Sequence, residues 1–323
     1  MVELVSGCSE AEVLSVEFCV TELQKKGSIK ASLRAVLWEM MEVRTADELP
    51  NARAAVMLLS FMAKGNPRAL IDNIEPLIST AFSEEGWKDA VFARHAATAV
   101  GTLPWGEQSE KGLAAMNAMV QQPWFSGMKW CQTLEQFIAA IFAVRPEPLG
   151  SAAELMVLLR QRAQTVLNEG GEDVSATLTT LFFAVGHVSI EALVHIEDCD
   201  RTLRKDRHTR ELAKQDAIEK EGGKGDADEL GMEAAQAKEA SEAEYLQAIC
   251  DGKIIGPGTL LGKLSGMLLA VVQAAQGACD DELRASAIFA MCKCMIVSEA
   301  FCDSHLRLLF TLLQSGNSSP RIR

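Results

Sequence analysis

Four residues toward the end of the sequence have the types that bind zinc. Cys292 and Cys294 are separated by one residue, and Cys302 and His305 follow shortly after. A zinc site needs four ligands, usually arranged as two close pairs, and a helix would turn Cys292 and Cys294 about 200° apart. We therefore interpret the cysteines as buried structural thiols. The alternative is a helical enzyme domain that uses these four residues around a metal.

The stretch 256–263 resembles a phosphate-binding loop in its glycines and its lysine. It reads Gly-Pro-Gly-Thr-Leu-Leu-Gly-Lys. A phosphate loop needs a glycine where Pro257 stands and a Ser or Thr where Leu264 stands, and it follows a strand, which this sequence does not predict here. The stretch therefore predicts a turn that begins a helix.

The histidines lack the neighbours that catalysis requires. His187 and His195 share one predicted helix, and His95 and His305 stand alone. None belongs to a Ser/His/Asp or HExxH pattern, and the sequence shows no catalytic fingerprint of the paired-carboxylate, nucleophile-elbow or dinucleotide-binding kind. The sequence thus predicts a protein that is not an enzyme and that uses no cofactor and no metal.

One basic run is suited to phosphate or to an acidic partner. Its cationic members are Arg201, Arg204, Lys205, Arg207 and Arg210. Three aspartates, at positions 198, 200 and 206, partly neutralise the run, so a solvated helical face is the alternative interpretation. If the run binds DNA, the affinity should be independent of sequence and sensitive to salt.

Composition predicts the kind of scaffold that positions these residues. Aromatic residues make up 6% of the 323 positions, with a single Tyr, whereas strong helix formers are abundant. The net charge of -13 argues against a protein that coats nucleic acid along its whole surface. Nine cysteines, an odd number set mostly among apolar residues, indicate a reducing compartment. We expect neither a signal peptide nor a membrane span, since the longest apolar stretch, Met267 to Ala275, is too short.

Apolar residues recur at helical spacing along the chain. Stripes of this kind are Leu33/Val36/Leu37/Met40/Met41, Ala55/Leu58/Leu59/Met62, Leu155/Leu158/Leu159/Ala163 and Leu306/Leu309/Phe310/Leu313. Ser151 and Glu154 have the spacing of a capping box that would begin a helix. Boundaries near Ser28, Asp47, Pro67 and Gly86 give two helices per ~40 residues. The sequence therefore predicts an all-α, HEAT/armadillo-like α-solenoid of helical hairpins, with an irregular helical bundle as the alternative.

One segment interrupts this pattern. Residues 198–244 carry dense charge and few large apolar side chains, with a basic first part and an acidic part from Asp226 to Glu244. We interpret the segment as a charged insertion, a long helix followed by a partly disordered loop. The predicted organisation is HEAT-like repeats over 1–197, the insertion over 198–244, and HEAT-like repeats over 245–323.

Several blocks of the sequence, taken in order, resemble one family. They are residues 53–67, 193–197, 242–253 and 301–313, of which the last is a near-continuous match over a whole helix. They resemble condensin complex subunit 1, the HEAT-repeat regulatory subunit of condensin I. The resemblance covers most of the chain from about Leu14, is weakest between Ala90 and Glu172, and implies a central piece of a longer subunit.

The resemblance implies a scaffold rather than a catalyst. Such subunits bind the kleisin subunit, contact the heads of the structural-maintenance-of-chromosomes (SMC) ATPases and help to hold DNA during mitotic chromosome condensation. It implies a location in the nucleus and on mitotic chromosomes, and in the cytoplasm for part of the cell cycle, with no membrane or small-molecule substrate. The alternatives are a condensin II subunit or another helical-repeat adaptor, such as a nuclear transport receptor.

Overall fold

The computed structural model describes residues 8–41, 45–71, 73–84, 86, 88–170, 174–220, 241–242, 244–274 and 277–315. Within these ranges the chain is helical and contains no strand. The helices are α1 (Glu10–Lys25), α2 (Ala31–Met41), α3 (Leu49–Gly65), α4 (Arg68–Ile71), α5 (Ile74–Phe82), α6 (Ala90–Val100), α7 (Glu107–Val120), α8 (Met128–Val144), α9 (Pro148–Glu169), α10 (Val174–Lys220), α11 (Leu260–Gln273), α12 (Asp281–Val297) and α13 (Glu299–Ser315). A 3-10 turn, Ala46–Glu48, precedes α3, and a π turn, Cys250–Ile254, precedes α11.

Local sequence signals set most of the helix ends. Asn66 and Pro67 follow the last residue of α3, as the predicted boundary requires. Asp89 caps α6 by accepting a hydrogen bond from the amide of Phe92 at 2.8 Å. The capping box predicted at Ser151 is wrong, because α9 already begins at Pro148. A proline fits the first position of a helix, since its fixed φ is helical and no amide hydrogen is needed there.

The chain divides into two compact units. The first comprises Met1–Ala184 with Cys279–Ser286, and the second comprises Val185–Ala278 with Ala287–Arg323. Helix α10 runs without interruption through residues 198–220, so the first part of the predicted insertion is helical. The loop predicted for 221–240 lies outside the described residues, and the boundaries 1–197, 198–244 and 245–323 remain a prediction.

In the first unit, helices pack in two layers of alternating hairpin arms. Helices α1, α3, α6 and α8 contact one another in that order, and α5, α7 and α9 do the same in the second layer. Within each hairpin the two arms also touch, as α6 does with α7 and α8 with α9. This stacking of successive hairpins confirms the predicted all-α, HEAT/armadillo-like solenoid class.

An aromatic cluster forms the centre of the first unit. The ring centroid of Trp130 lies 5.2 Å from that of Trp124 and 4.9 Å from that of Phe125. Phe125 stacks in turn on Phe137 at 5.8 Å. The guanidinium of Arg162, on α9, donates to main-chain carbonyls at the end of α7 and in the loop that carries Trp124 and Phe125. The cluster thus joins α8 to the loop that follows α7, and Arg162 holds this loop to α9.

Side-chain hydroxyls link helices of the first unit to one another. Thr21 of α1 donates to the carbonyl of Phe61 in α3 at 3.1 Å. Thr133 of α8 donates to the carbonyl of Ala90 in α6 at 2.8 Å. A carbonyl oxygen has two lone pairs, so it can accept a side-chain hydrogen bond in addition to a main-chain one. These contacts therefore fix the register of neighbouring helices, and they leave no unpaired hydroxyl at Thr21 or Thr133.

In the second unit, α10 and α12 approach closely at a glycine. A Cβ placed on Gly186 would lie 2.9 Å from the Cα of Ala290. Near this point the hydroxyl of Ser189 lies 3.9 Å from the sulfur of Cys294. The last helix, α13, begins where Ser298 donates to Asp251 at 2.5 Å. Its predicted apolar stripe is helical but partly exposed: Phe310, for example, is 57% exposed.

Helix α10 also has the length and composition of a membrane span. Residues Val174–Arg210 form the one helix in the described ranges that meets both criteria, and 67% of its apolar window is buried inside the protein. Such burial is typical of a core helix in a folded domain. Ser, Thr and His are interspersed along this helix, so its apolar residues do not form an uninterrupted run in the sequence.

Candidate functional site

The predicted basic run lies on α10, and its five cations do not share one face. At about 100° per residue, Lys205 lies close in direction to Arg201, whereas Arg210 points to the opposite side of the helix. Arg204 and Arg207 are neighbours at i and i+3, on a third side of the helix. The run therefore surrounds the helix instead of forming a single basic stripe.

Two of the arginines pair with carboxylates of their own helix. Arg201 contacts Asp198 at 2.6 Å, and both side chains are more than half exposed. Arg204 contacts Asp200 through Nε, also at 2.6 Å. These aspartates are the ones that the sequence identified as neutralising the run. Exposed pairs of this kind contribute at most about 1 kcal/mol each to stability, and they reduce the free positive charge of the run.

A further carboxylate reaches the run from a distant part of the sequence. Glu242 contacts Arg207 through Oε1, and its Oε2 lies 3.9 Å from Nη2 of Arg204. Its side chain is 24% exposed, less than either arginine. Glu242 is not among the residues predicted from the sequence, because only the folded chain brings position 242 to positions 204 and 207. We call these three residues the Glu242 clamp.

Lys205 and Arg210 differ from the three arginines in their environment. Both side chains are exposed. Neither forms an ion pair with any residue that the structure describes, so their charge is directed to solvent. They are the members of the run that are free to meet an external anion without first breaking an ion pair within the described chain.

The four candidate zinc ligands are not gathered into one site. Cys292 and Cys294 lie on α12, where Cys294 is fully buried and burial raises its pKa to about 11. The Nδ1 atom of His305 lies 2.8 Å from the carbonyl oxygen of Phe301 in its own helix. Across the described residues, no three His, Cys, Asp or Glu side chains are placed to hold a metal. The burial of Cys294 is that of a structural thiol.

The stretch 256–263 begins α11, as predicted. Thr259 is the N-cap, and its hydroxyl accepts a hydrogen bond from the amide of Gly262 at 3.0 Å. The same hydroxyl lies 2.8 Å from the carbonyl of Gly256. A Cβ on Gly262 would lie 2.0 Å from that carbonyl, so the glycine is needed for close packing of the turn. The side chain of Thr259 thus satisfies an amide that a phosphate loop would direct to its ligand.

Two histidines are held uncharged by their surroundings. Burial, followed by the charges of Arg94 and Lys64, lowers the pKa of His95 to about 4. Burial, followed by the charge of Lys293, lowers the pKa of His187 to about 4. Neutral imidazoles in such positions pack as small polar side chains.

We expect acid to destabilise the fold through these histidines. A folded-state pKa of about 4 lies below the ordinary 6.5, so the unfolded chain binds more protons as the pH falls. The contribution of neutral His95 to the free energy of unfolding is complete above pH ~6.5. Between pH 7 and pH 5 the protein should lose about 2 kcal/mol of it, because His95 becomes protonated in the unfolded chain. Urea unfolding at pH 7 and at pH 5 measures this loss. The variant His95→Gln should not show it, because glutamine does not titrate. An equal dependence on pH in the variant and the parent would contradict the assignment.

Comparison with known proteins gives one consistent result. No protein-family model matches the chain. It is 26% identical to condensin complex subunit 1 of Xenopus laevis, in an alignment that covers 95% of the chain and 24% of that protein. It is 25% identical to condensin-1 complex subunit CAP-D2 of Arabidopsis thaliana, over 94% of the chain and 24% of the relative. Condensin complex subunit 1 of Schizosaccharomyces pombe is 23% identical over 100% of the chain and 31% of the relative.

These matches confirm the family resemblance predicted from the sequence. The alignment with the Schizosaccharomyces pombe relative covers 100% of the chain and so includes residues 90–172, where the sequence blocks were weakest. The chain spans about a quarter of the length of the first two of these relatives. The similarity is thus to one part of a longer protein.

Proposed function

We propose that the chain is a non-catalytic scaffold segment of a condensin regulatory subunit. The observation that carries this proposal is the match to condensin complex subunit 1, which extends over nearly the whole chain in relatives from a frog, a plant and a yeast. The stacked hairpins support it, because such arrays present long surfaces to several partners at once. ATP hydrolysis would belong to partner subunits.

In this role the chain binds the kleisin subunit and the heads of the SMC ATPases during mitotic chromosome condensation. It acts in the nucleus and on mitotic chromosomes, and resides in the cytoplasm for part of the cell cycle. It requires no cofactor, binds no small-molecule substrate and does not associate with a membrane. The regular packing of α1, α3, α6 and α8 supports this role, since a stiff array holds its partners at fixed separations.

Affinity purification from mitotic extract tests the proposal. The bait is the full subunit that contains this chain, and the control is the unrelated array of a nuclear transport receptor carrying the same tag. We expect recovery of the condensin I kleisin and both ATPases with the bait alone. Recovery of the condensin II kleisin would favour that alternative, whereas recovery of neither kleisin nor ATPases would overturn the proposal.

We further propose that the basic run on α10 contacts DNA without sequence preference. The support is the exposure of Lys205 and Arg210, which form no ion pair within the described part of the chain. Such cations gain most from phosphate, because nothing has to be broken before they bind it. Arg201, Arg204 and Arg207 would add to the contact once their carboxylate partners are displaced.

Charge reversal of the two free cations should weaken this contact. We expect Lys205→Glu/Arg210→Glu to lower the affinity of the chain for a mixed-sequence duplex roughly tenfold at low salt, and to reduce the salt slope by about 1 for each of the two side chains that contacts a phosphate. Fluorescence anisotropy measures both quantities. The matched control is Lys26→Glu/Lys30→Glu, which changes the net charge equally at exposed positions of the first unit. Equal losses in the two variants would refute a contact at α10.

A further inference from the structure

We propose that Glu242 is an internal competitor for the anion site formed by Arg204 and Arg207, so that DNA phosphate and this carboxylate occupy the two guanidiniums alternately. The inference rests on the proposed DNA contact at α10 and adds a means of limiting it. It concerns the Glu242 clamp, whose three side chains all belong to the second unit.

The geometry of the clamp is that of an anion site already holding an anion. Arg207 approaches one carboxylate oxygen of Glu242, and Arg204 faces the other at 3.9 Å. Two guanidiniums at i and i+3 on a helix therefore converge on a single pair of oxygens. A phosphodiester offers a similar pair of anionic oxygens, and arginine forks bind carboxylate and phosphate with the same planar geometry.

Glu242 differs from the other acidic partners of the run because it does not lie on α10. Asp198 and Asp200 lie on α10 within about one turn of the arginines that they contact, so they move with the helix. Glu242 lies 35 residues beyond Arg207 in the sequence. Its carboxylate can leave the arginines by rotation of one side chain or by displacement of its own segment, and neither change disturbs the hydrogen bonds of α10.

The exposure of Arg204 and Arg207 allows a phosphate to exchange with the carboxylate of Glu242. The side chains of Arg204 and Arg207 are 40% and 49% exposed, so a phosphate can approach them from solvent while Glu242 is bound. Partly exposed ion pairs are weak, and a duplex supplies many phosphates at high local density. The clamp would thus lower DNA affinity without abolishing it, and would place Glu242 in direct competition with the ligand.

The test compares two neutralising substitutions in the full chain. Glu242→Gln keeps the shape of the side chain and removes its charge, and Glu244→Gln makes the same change at an exposed neighbour that forms no ion pair with the described residues. The probe is a fluorescein-labelled mixed-sequence DNA duplex at low salt. We expect Glu242→Gln to bind roughly three- to tenfold more tightly than the parent, and Glu244→Gln to stay within about twofold of it. Glu242→Ala serves as a second variant, and circular dichroism establishes that each is folded.

The outcomes distinguish this inference from the proposal on which it rests. Equal affinities for Glu242→Gln and Glu244→Gln, or weaker binding by the former, overturn the competition. If Lys205→Glu/Arg210→Glu still weakens binding in that case, the DNA contact stands without the competition. Failure of the parent chain and of all variants to bind the duplex overturns both. A gain that is specific to position 242, and that disappears when Arg204 and Arg207 are also replaced by Gln, supports the competition.

Discussion

Replacing Trp130 with alanine is expected to lower the free energy of unfolding by about 3–5 kcal/mol. The indole is 1% exposed, and it packs against both Trp124 and Phe125, whose ring centroids are 5.2 and 4.9 Å away. Removing it leaves a cavity that the surrounding rings cannot fill, because Phe137 belongs to α8 and Arg162 of α9 fixes the loop that carries Trp124 and Phe125. The loss in the free energy of unfolding therefore has two parts, the lost contacts of the indole and the cavity that remains.

Two further substitutions, Trp130→Phe and Trp105→Ala, give smaller losses with which that of Trp130→Ala can be compared. The indole nitrogen of Trp130 is buried without a hydrogen-bond partner among the described residues, so Trp130→Phe should destabilise much less than Trp130→Ala. Trp105 is 45% exposed and stacks on Arg145 at 4.6 Å, so Trp105→Ala should cost about 1 kcal/mol or less. Urea unfolding followed by far-ultraviolet circular dichroism measures all three. Equal losses at Trp105 and Trp130 would contradict the central position of the cluster.

Substitution of Gly186 by valine should destabilise the second unit by about 3 kcal/mol. Even the first added carbon would lie 2.9 Å from the Cα of Ala290 and 3.0 Å from Cδ of Lys293. The lysine can move, but a backbone atom in the middle of α12 can move only if the whole helix shifts. The expected loss in stability therefore arises because α10 and α12 must move apart. This loss is larger than the stability that a helix normally gains when a glycine is replaced.

Gly266 supplies the matched control for this experiment. It lies inside α11, and a Cβ added there would have no atom within 4 Å, so Gly266→Ala should raise stability by up to about 1 kcal/mol. Gly186→Ala is expected to have the opposite sign, although the chemical change is identical. Thermal unfolding of the two alanine variants measures the contrast. A stabilising effect at both positions would show that α10 and α12 are not in contact at Gly186.

The sequence was sufficient to predict the elements because helix formation depends on local signals. The stripe Ala55, Leu58, Leu59 and Met62 is fully buried in α3, and the boundary at Pro67 follows directly after that helix. The same kind of signal failed at Ser151, where a capping pattern competed with a proline that fits the first helical position better. Local rules therefore predict that a helix is present more reliably than they predict where it begins.

The contacts between elements were beyond the reach of sequence patterns. The stripe of α13 has the same spacing as that of α3, yet Phe310 is 57% exposed, because periodicity predicts an apolar face and not what covers it. The basic run was found from its composition, but its pairing with Glu242 depends on a contact across 35 residues. Nothing in the sequence around Gly186 distinguishes it from Gly266, and only the approach of Ala290 does so.

The order in which the hairpin arms of the first unit touch has a consequence for how this chain is made. Helix α1 packs on α3, and α3 packs on α6, so most of the contacts of each helix are with residues that are synthesised shortly before or after it. Low contact order of this kind favours rapid folding. We therefore expect α1, α2 and α3 to assemble while α8 is still inside the ribosome.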